Sequence, residues 1–298
     1  MKQFKNILYV SDATDDQDWA VARAVSVAEN NQAELTIATV ADAHHTQLQS
    51  LAEAYKQRLN IRFKMLEDNT YIEVVRTVLN NANDLVLKPA ENPSWLKRIF
   101  GNFDMNLLRQ CPCPIWLMKP HDTPSYNNIL AAVDFDPLNP LGQDHELNRE
   151  ILDLASRLAL SNVASLHIAH AWEAIGEKTL MSRDITTLDG VADYVEKTHA
   201  PHRKGLYMLG EELRESLGTD TYKRLSPSFH LPKGAGKKMI PQLAATLQAD
   251  LVVMGTIART GISGLIIGNT AEAILDQLAC SVLAVKPSGF KTEVKLDE

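Results

Sequence analysis

Short apolar runs alternate with segments of helical spacing along this chain, and the alternation occurs twice. Ile7–Val10 and Ile129–Val133 are compact apolar runs closely followed by aspartate, the pattern of a strand buried on both faces. Val21, Ala24, Val25 and Ala28 follow the first run at helical spacing, and Leu147, Ile151, Leu154 and Leu158 follow the second. Leu35–Val40 and Leu166–Ala171 read as second strands, and Phe63–Leu66 and Phe229–Leu231 as short third strands. Ile240, Leu243, Ala244 and Leu247 mark a further helical face. Leu251–Met254 reads as a buried strand, Ala271, Ile274, Leu275 and Leu278 as a helix, and Val282–Val285 as the closing strand. Strands and helices in this order predict a mainly parallel sheet covered by helices on both faces, with ligands at the carboxyl ends of its strands.

The doubling extends to the residues themselves. Asn6-Ile7-Leu8-Tyr9-Val10-Ser11-Asp12 resembles Asn128-Ile129-Leu130-Ala131-Ala132-Val133-Asp134, and Asn83-Asp84-Leu85-Val86-Leu87 resembles Ala249-Asp250-Leu251-Val252-Val253. Gln110-Cys111-Pro112-Cys113-Pro114-Ile115 matches Gln277-Leu278-Ala279-Cys280-Ser281-Val282, and Lys-Pro follows each at 119–120 and 286–287. Order is kept while the offset grows through local insertions, as duplication of one domain produces. The expected units are residues 1–122 and 126–298, joined by a short polar stretch around Pro124. The second carries an insert of about 174–225, read as one or two amphipathic helices, which packs on its own domain, covers a cleft or offers a partner surface.

Composition narrows the function classes. Of 298 residues, 45% are apolar and 22% charged, as in ordinary globular chains, and the net charge of −7 gives no electrostatic reason to expect nucleic acid or an anionic membrane as partner. No apolar run approaches the roughly 18 residues that span a bilayer. The start, MKQFKNILYVSDATDD, lacks the signal-peptide pattern, and three cysteines suggest no disulfide scaffold, so a cytoplasmic location is expected.

The segment from Met254 to Thr270 carries the candidate chemistry. Gly255 leaves a buried strand, and Gly268-Asn269-Thr270-Ala271-Glu272 enters a helix with Asn269 as the expected N-cap and Glu272 three residues on. Glycines allow close backbone approach, and a helix start favours phosphate. Taken alone, this is a weak signal. The spacing resembles the ATP-binding signature of the universal stress protein family, G-x2-G-x9-G-[S/T], with Gly255 at the first glycine and Gly268 at the last. The resemblance covers both repeats, the second more strongly, and suits the tandem-domain type. It implies two Rossmann-like domains of flavodoxin-like layout, each with a mainly parallel five-stranded sheet. It implies binding of ATP, or of AMP or ADP, with Mg²⁺ arriving on the phosphates. It places Val133 and Asp134 near adenosine and the backbone of Ala171 at adenine. Met254, Gly255, Ala258, Arg259, Gly268, Asn269 and Thr270 then line ribose and phosphates. Two positions depart from the signature: Ala258 replaces its middle glycine, and Asn269 its Ser/Thr.

The first repeat differs. Pro89 stands in register with Gly255, Glu91 brings a negative charge, and Phe103 and Asp104 replace Thr270 and Ala271. Pro has no N–H to donate, so this half is expected not to bind nucleotide in the family manner. Trp95, Phe100 and Phe103 pack in a core or line an apolar cleft.

Cys111 and Cys113 invite a metal or redox reading, but Cys113 matches Cys280 in register, and packing is the simpler account. His167, His170, His199, His202 and His230 cluster in the second repeat; solvated or packed rings are the default and zinc the alternative. Pro201 argues for a helix start or loop between His199 and His202. No G-x-S-x-G elbow or P-loop is present, so no catalytic residue is assigned and any ATPase activity is expected to be slow.

The resemblance further implies pairing of the last strands, Ile115–Lys119 with Val282–Lys286, as an intramolecular pseudo-dimer. A homodimer of whole chains stays open. The expected role is stress survival, such as resistance to DNA damage, through adenine-nucleotide binding. The alternative is a nucleotide-free scaffold for protein partners or a small apolar ligand.

Overall fold

A computed structural model describes residues 4–11, 18–40, 42–68, 70–91, 102–119, 125–142, 144–182, 188–256 and 267–296. The first half runs β1 (Asn6–Val10), α1 (Asp18–Asn31), β2 (Glu34–Thr39), α2 (Asp42–Glu53), β3 (Ile61–Met65), α3 (Tyr71–Asn81), β4 (Leu85–Pro89), α4 (Asn102–Gln110) and β5 (Ile115–Met118). The second runs β6 (Asn128–Ala132), α5 (His145–Asn162), β7 (Ser165–Ala169), α6 (Glu177–Ser182), α7 (Leu188–Leu217), α8 (Thr219–Leu225), β8 (Ser228–His230), α9 (Gly236–Thr246), β9 (Leu251–Gly255), α10 (Asn269–Leu275) and β10 (Ser281–Val285).

The described strands form one sheet in the order β3-β2-β1-β4-β5-β10-β9-β6-β7-β8. Each half contributes five parallel strands in the same order, so the two halves are tandem copies of a flavodoxin-like layout. They meet at β5 and β10, which pair antiparallel with Leu283 opposite Trp116. That contact covers two edges that separate sheets would expose.

Strand alternation explains the two core layers. Ile7, Tyr9, Ile129 and Ala131 face one side, against α1, α2, α5, α7 and α8; Leu8, Val10 and Leu130 face the other, against α3, α4, α9 and α10. The matched aspartates do the same job in each copy. Asp84 accepts the backbone N–H groups of Lys5 and Asn6 (2.7 and 3.0 Å), and Asp250 accepts those of Asn127 and Asn128 (2.7 and 3.0 Å). Each ties the start of a first strand to the start of the fourth.

Two expectations need correction. The described part of the insert holds three helices, α6 to α8, and Pro201 lies inside the 30-residue α7 rather than at a start or loop. Proline withholds one helix hydrogen bond, but burial of Val191, Leu206, Leu209 and Leu213 on either side carries the helix through it. At the other site, Gly268 rather than Asn269 is the N-cap of α10, with φ −59° and ψ 138°. Its N–H donates to the Thr256 carbonyl at 3.0 Å, which fixes the chain one residue before the expected cap. Glycine is a good N-cap without a side-chain bond. Among the described residues, no helix is long and apolar enough to cross a membrane.

Candidate functional site

In the second half the chain runs outward from β6 to β7 and β8, then returns to β9 on the other side of β6. The strand order reverses between β6 and β9, and a crevice must open at their carboxyl ends. A cavity of about 690 Å³ lies there. Val133, Asp134, Ala171, Met254, Gly255, Gly268, Asn269 and Thr270 all line it. Ala258 and Arg259 fall outside the described residues.

Local structure fixes each part. Asp134 follows β6 with its backbone clamped by Asn148 of α5: Asp134 N–H donates to Asn148 Oδ1 (3.1 Å), and Asn148 Nδ2 donates to the Asp134 carbonyl (2.8 Å). Asn148 is buried while the Asp134 carboxylate stays exposed at the cavity. Gly255 is required by close packing, since a Cβ there would meet Leu147 Cδ2 at 2.8 Å. Gly236, at the start of α9, also lines the cavity, and a Cβ there would touch Thr270 Cγ2 at 3.7 Å and Ala171 Cβ at 3.8 Å.

Further lining residues were not singled out as ligand contacts from the sequence. Phe135, His170, Trp172, Ile175 and His202 close one side of the cavity. Phe135 stacks on His170 at 3.9 Å between centroids, and His170 Nε2 lies 2.8 Å from His202 Nδ1 on α7. The Val133 carbonyl, 3.3 Å from His170 Nδ1, can only accept, so His170 donates from Nδ1; in the neutral ring its Nε2 then accepts from His202. Asp134 Oδ1 stands 3.7 Å from His170 Nδ1. Trp172 tilts against His199 and His202 and donates its indole N–H to the Leu231 carbonyl at 3.1 Å. The sequence signal was the crowding of histidines and Trp172 around the insert; its meaning depends on where α7 docks. Gly205 lets α7 approach, because a Cβ there would meet Phe135 Cε2 at 2.4 Å.

His167 and His230 form a separate pair on the opposite sheet face, Nδ1 to Nε2 at 3.1 Å. Burial lowers both pKa values, and for His167 the charge of His230 adds to the effect. Among the described residues, no group of three or more His, Cys, Asp or Glu side chains is placed to hold a metal.

The matching place in the first half is occupied from within. Lys88, in register with Met254, reaches Asp104, in register with Ala271, at 2.9 Å, and both side chains are almost fully buried. Asp104 Oδ2 accepts the Glu91 N–H at 2.7 Å, and Lys88 Nζ also donates to the Pro89 carbonyl at 2.9 Å. Phe103 lies under the Lys88 ammonium at 5.0 Å. Burial, then the Asp104 charge, raises the Glu91 carboxyl pKa. Trp95 and Phe100 lie outside the described residues.

Comparison with known proteins places this geometry. The sequence model of the universal stress protein family matches residues 125–286. Universal stress protein E of Escherichia coli K12 is 31% identical over 243 residues, covering 80% of this chain and 72% of that protein. Universal stress protein E of Photorhabdus laumondii is 26% identical over 325 residues, covering 99% of both chains. A Pseudomonas aeruginosa PAO1 crystal structure described as functionally unknown superposes with a TM-score of 0.73 at 26% identity, covering 96% of this chain and 94% of that one.

Proposed function

The chain belongs to the universal stress protein family, and from that premise we propose that its second half binds ATP or a related adenine nucleotide in service of a stress response. The observation that carries this reading is the convergence of eight residues assigned to the nucleotide through the family resemblance, Val133 to Thr270, on one cavity of about 690 Å³. That volume lies within the range of small-molecule sites. Asp134, Asp144 and Glu173 are among the lining residues, and their carboxylates would accept hydroxyls and amino groups of a nucleoside. Among the described residues Gly268 opens α10 without a side-chain cap, and the amides of the helix's first turn would donate to phosphate oxygens. Mg²⁺ would enter on the phosphates.

The first half would bind no nucleotide in this way. Asp104 already supplies an anion at the start of α4, and Lys88 neutralises it. Its role is to complete a pseudo-dimer across β5 and β10. Hydrolysis, where it occurs, is slow, and protection against DNA damage is the stress role to examine first.

The test is thermal unfolding of the whole protein with and without ATP and AMP. Nucleotide should raise the Tm of the wild type, and Gly268→Asp should abolish the shift while folding normally. A wild type whose Tm ignores both nucleotides at millimolar concentration would end this reading in favour of a nucleotide-free scaffold.

A further inference from the structure

The sequence places Cys111 and Cys113 on either side of Pro112, and the chain bends at Pro112 and Cys113 between α4 and β5. The bend turns both side chains to one spot, with Sγ atoms 3.6 Å apart. Packing accounts for Cys113, whose counterpart in the second half is Cys280. Cys111 is also packed in the core, but its counterpart is Leu278, so the first half has a thiol where its copy has an ordinary core residue.

A second asymmetry falls at the same place. Lys286 and Lys119 occupy equivalent positions after β10 and β5. Lys119 is exposed, whereas Lys286 is buried, donating to the Leu108 carbonyl three residues before Cys111, with its ammonium 4.5 Å from the Phe290 ring centroid. A buried cation is costly without compensating charge or hydrogen bonds, and this lysine is buried on the side that holds two thiols. Burial brings its pKa down to about 8, and the cysteines oppose that change. Burial pulls the Cys111 thiol upward, but hydrogen bonds from Cys113 and the Lys286 charge outweigh it and hold Cys111 below its ordinary value. Cys113 is pushed well above the ordinary value, first by its hydrogen bond to Cys111 and then by burial. The two sulfurs therefore differ in ease of ionisation, Cys111 being the one that gives up its proton more readily.

We propose that Cys111 and Cys113 form a redox-modification site that hydrogen peroxide converts to a disulfide, with Lys286 from the other half of the chain supporting the attacking sulfur. The Cys111 thiolate attacks one peroxide oxygen and the O–O bond breaks. Hydroxide leaves and recovers the proton Cys111 had released, giving water and a Cys111 sulfenic acid. Cys113 then attacks the Cys111 sulfur. The S–S bond forms, the S–OH bond breaks, and hydroxide departs as a second water with the Cys113 proton. Two thiols lose two electrons, and one peroxide becomes two waters. The sulfurs, 3.6 Å apart, must close to about 2.05 Å for the bond to form. Both thiols are buried, which excludes bulky disulfides, so the oxidant tested is one as small as hydrogen peroxide.

The full-length protein is treated with hydrogen peroxide, unfolded, alkylated with iodoacetamide and digested with trypsin. The peptide from Gln110 to Arg149 contains only these two cysteines. Its mass should fall by about 2 Da with neither thiol alkylated, and dithiothreitol should reverse this. In Cys113→Ser, Cys111 should instead yield a sulfenic acid that dimedone traps. Lys286→Gln should slow oxidation about fivefold and Lys119→Gln should not. Should Lys286→Gln fail to fold, the wild-type pH–rate profile replaces it, with a midpoint expected below the ordinary thiol pKa of about 8.5. Both thiols remaining alkylatable in peroxide-treated folded protein, or oxidation to sulfinic acids without a disulfide, would overturn the site. An unchanged rate in Lys286→Gln, or a midpoint at or above the ordinary value, would overturn the role of Lys286.

Discussion

Asp104 and Lys88 form a buried ion pair, 2.9 Å apart, where the second half of the chain has Ala271 and Met254. One copy thus encloses opposite charges at the place where the other lines a cavity. Removing one partner leaves an uncompensated charge in the core. Asp104→Ala and Lys88→Met should each destabilise the protein by about 3–5 kcal/mol in urea unfolding. The double variant, which installs the second half's residues, should be more stable than either single variant. A double variant as unstable as the two losses combined would show that the pair is not a coupled unit.

The tight contact between α7 and Phe135 has its own signature. Gly205→Ala places a methyl carbon 2.4 Å from Phe135 Cε2, and Phe135 is itself fixed against His170. Alanine gains up to about 1 kcal/mol of helix propensity, but overpacking costs about 1–3 kcal/mol. The expected net result is a lower Tm, with a smaller ATP-induced shift because the displaced ring borders the cavity. A Tm increase would show that α7 sits farther from Phe135 in solution.

His167 and His230 predict a pH dependence. Burial lowers both pKa values in the folded protein, so the unfolded chain takes up protons first as pH falls. Their contribution to stability is therefore intact above the unfolded value of about 6.5 and is lost as pH drops through it toward the folded values. Urea midpoints measured between about pH 7 and 5 should decline, and His230→Gln should flatten part of that decline. An identical slope in the variant would assign the effect to other groups.

The fold was legible because alternation and repetition carry it. Buried parallel strands announce themselves as runs such as Leu251–Met254, and a duplicated sequence lets each copy check the other. The glycines of the cavity were legible for a similar reason, since Gly255 and Gly268 stand at a strand exit and a helix entry. The insert was not. Pro201 reads locally as a break, and only burial of Val191, Leu206, Leu209 and Leu213 reveals a continuous helix. Phe135 and His202 are 67 residues apart by number and meet at the cavity only because α7 folds back over it. The N-cap was misread by one residue because the Gly268 N–H bond to Thr256 is a tertiary contact.

Finally, Arg109 on α4 meets Glu272 on α10 at 2.9 Å, joining the first half to the helix that begins at the cavity. Both side chains are about one-third exposed, so the pair adds little to stability, at most about 1 kcal/mol. Its electrostatic position matters more. Glu272 lies in the first turn of α10, where its charge repels phosphate unless Arg109 offsets it. Given nucleotide binding, Arg109→Gln should weaken ATP affinity about two- to threefold at low salt, roughly 0.5 kcal/mol. Glu272→Gln should strengthen it by a similar factor, and the double variant should return near the wild type. Calorimetric titration at two salt concentrations checks this, since screening should shrink all three differences. Equal weakening by both single variants would instead mean that the pair acts by holding α10 in place, with charge having no part.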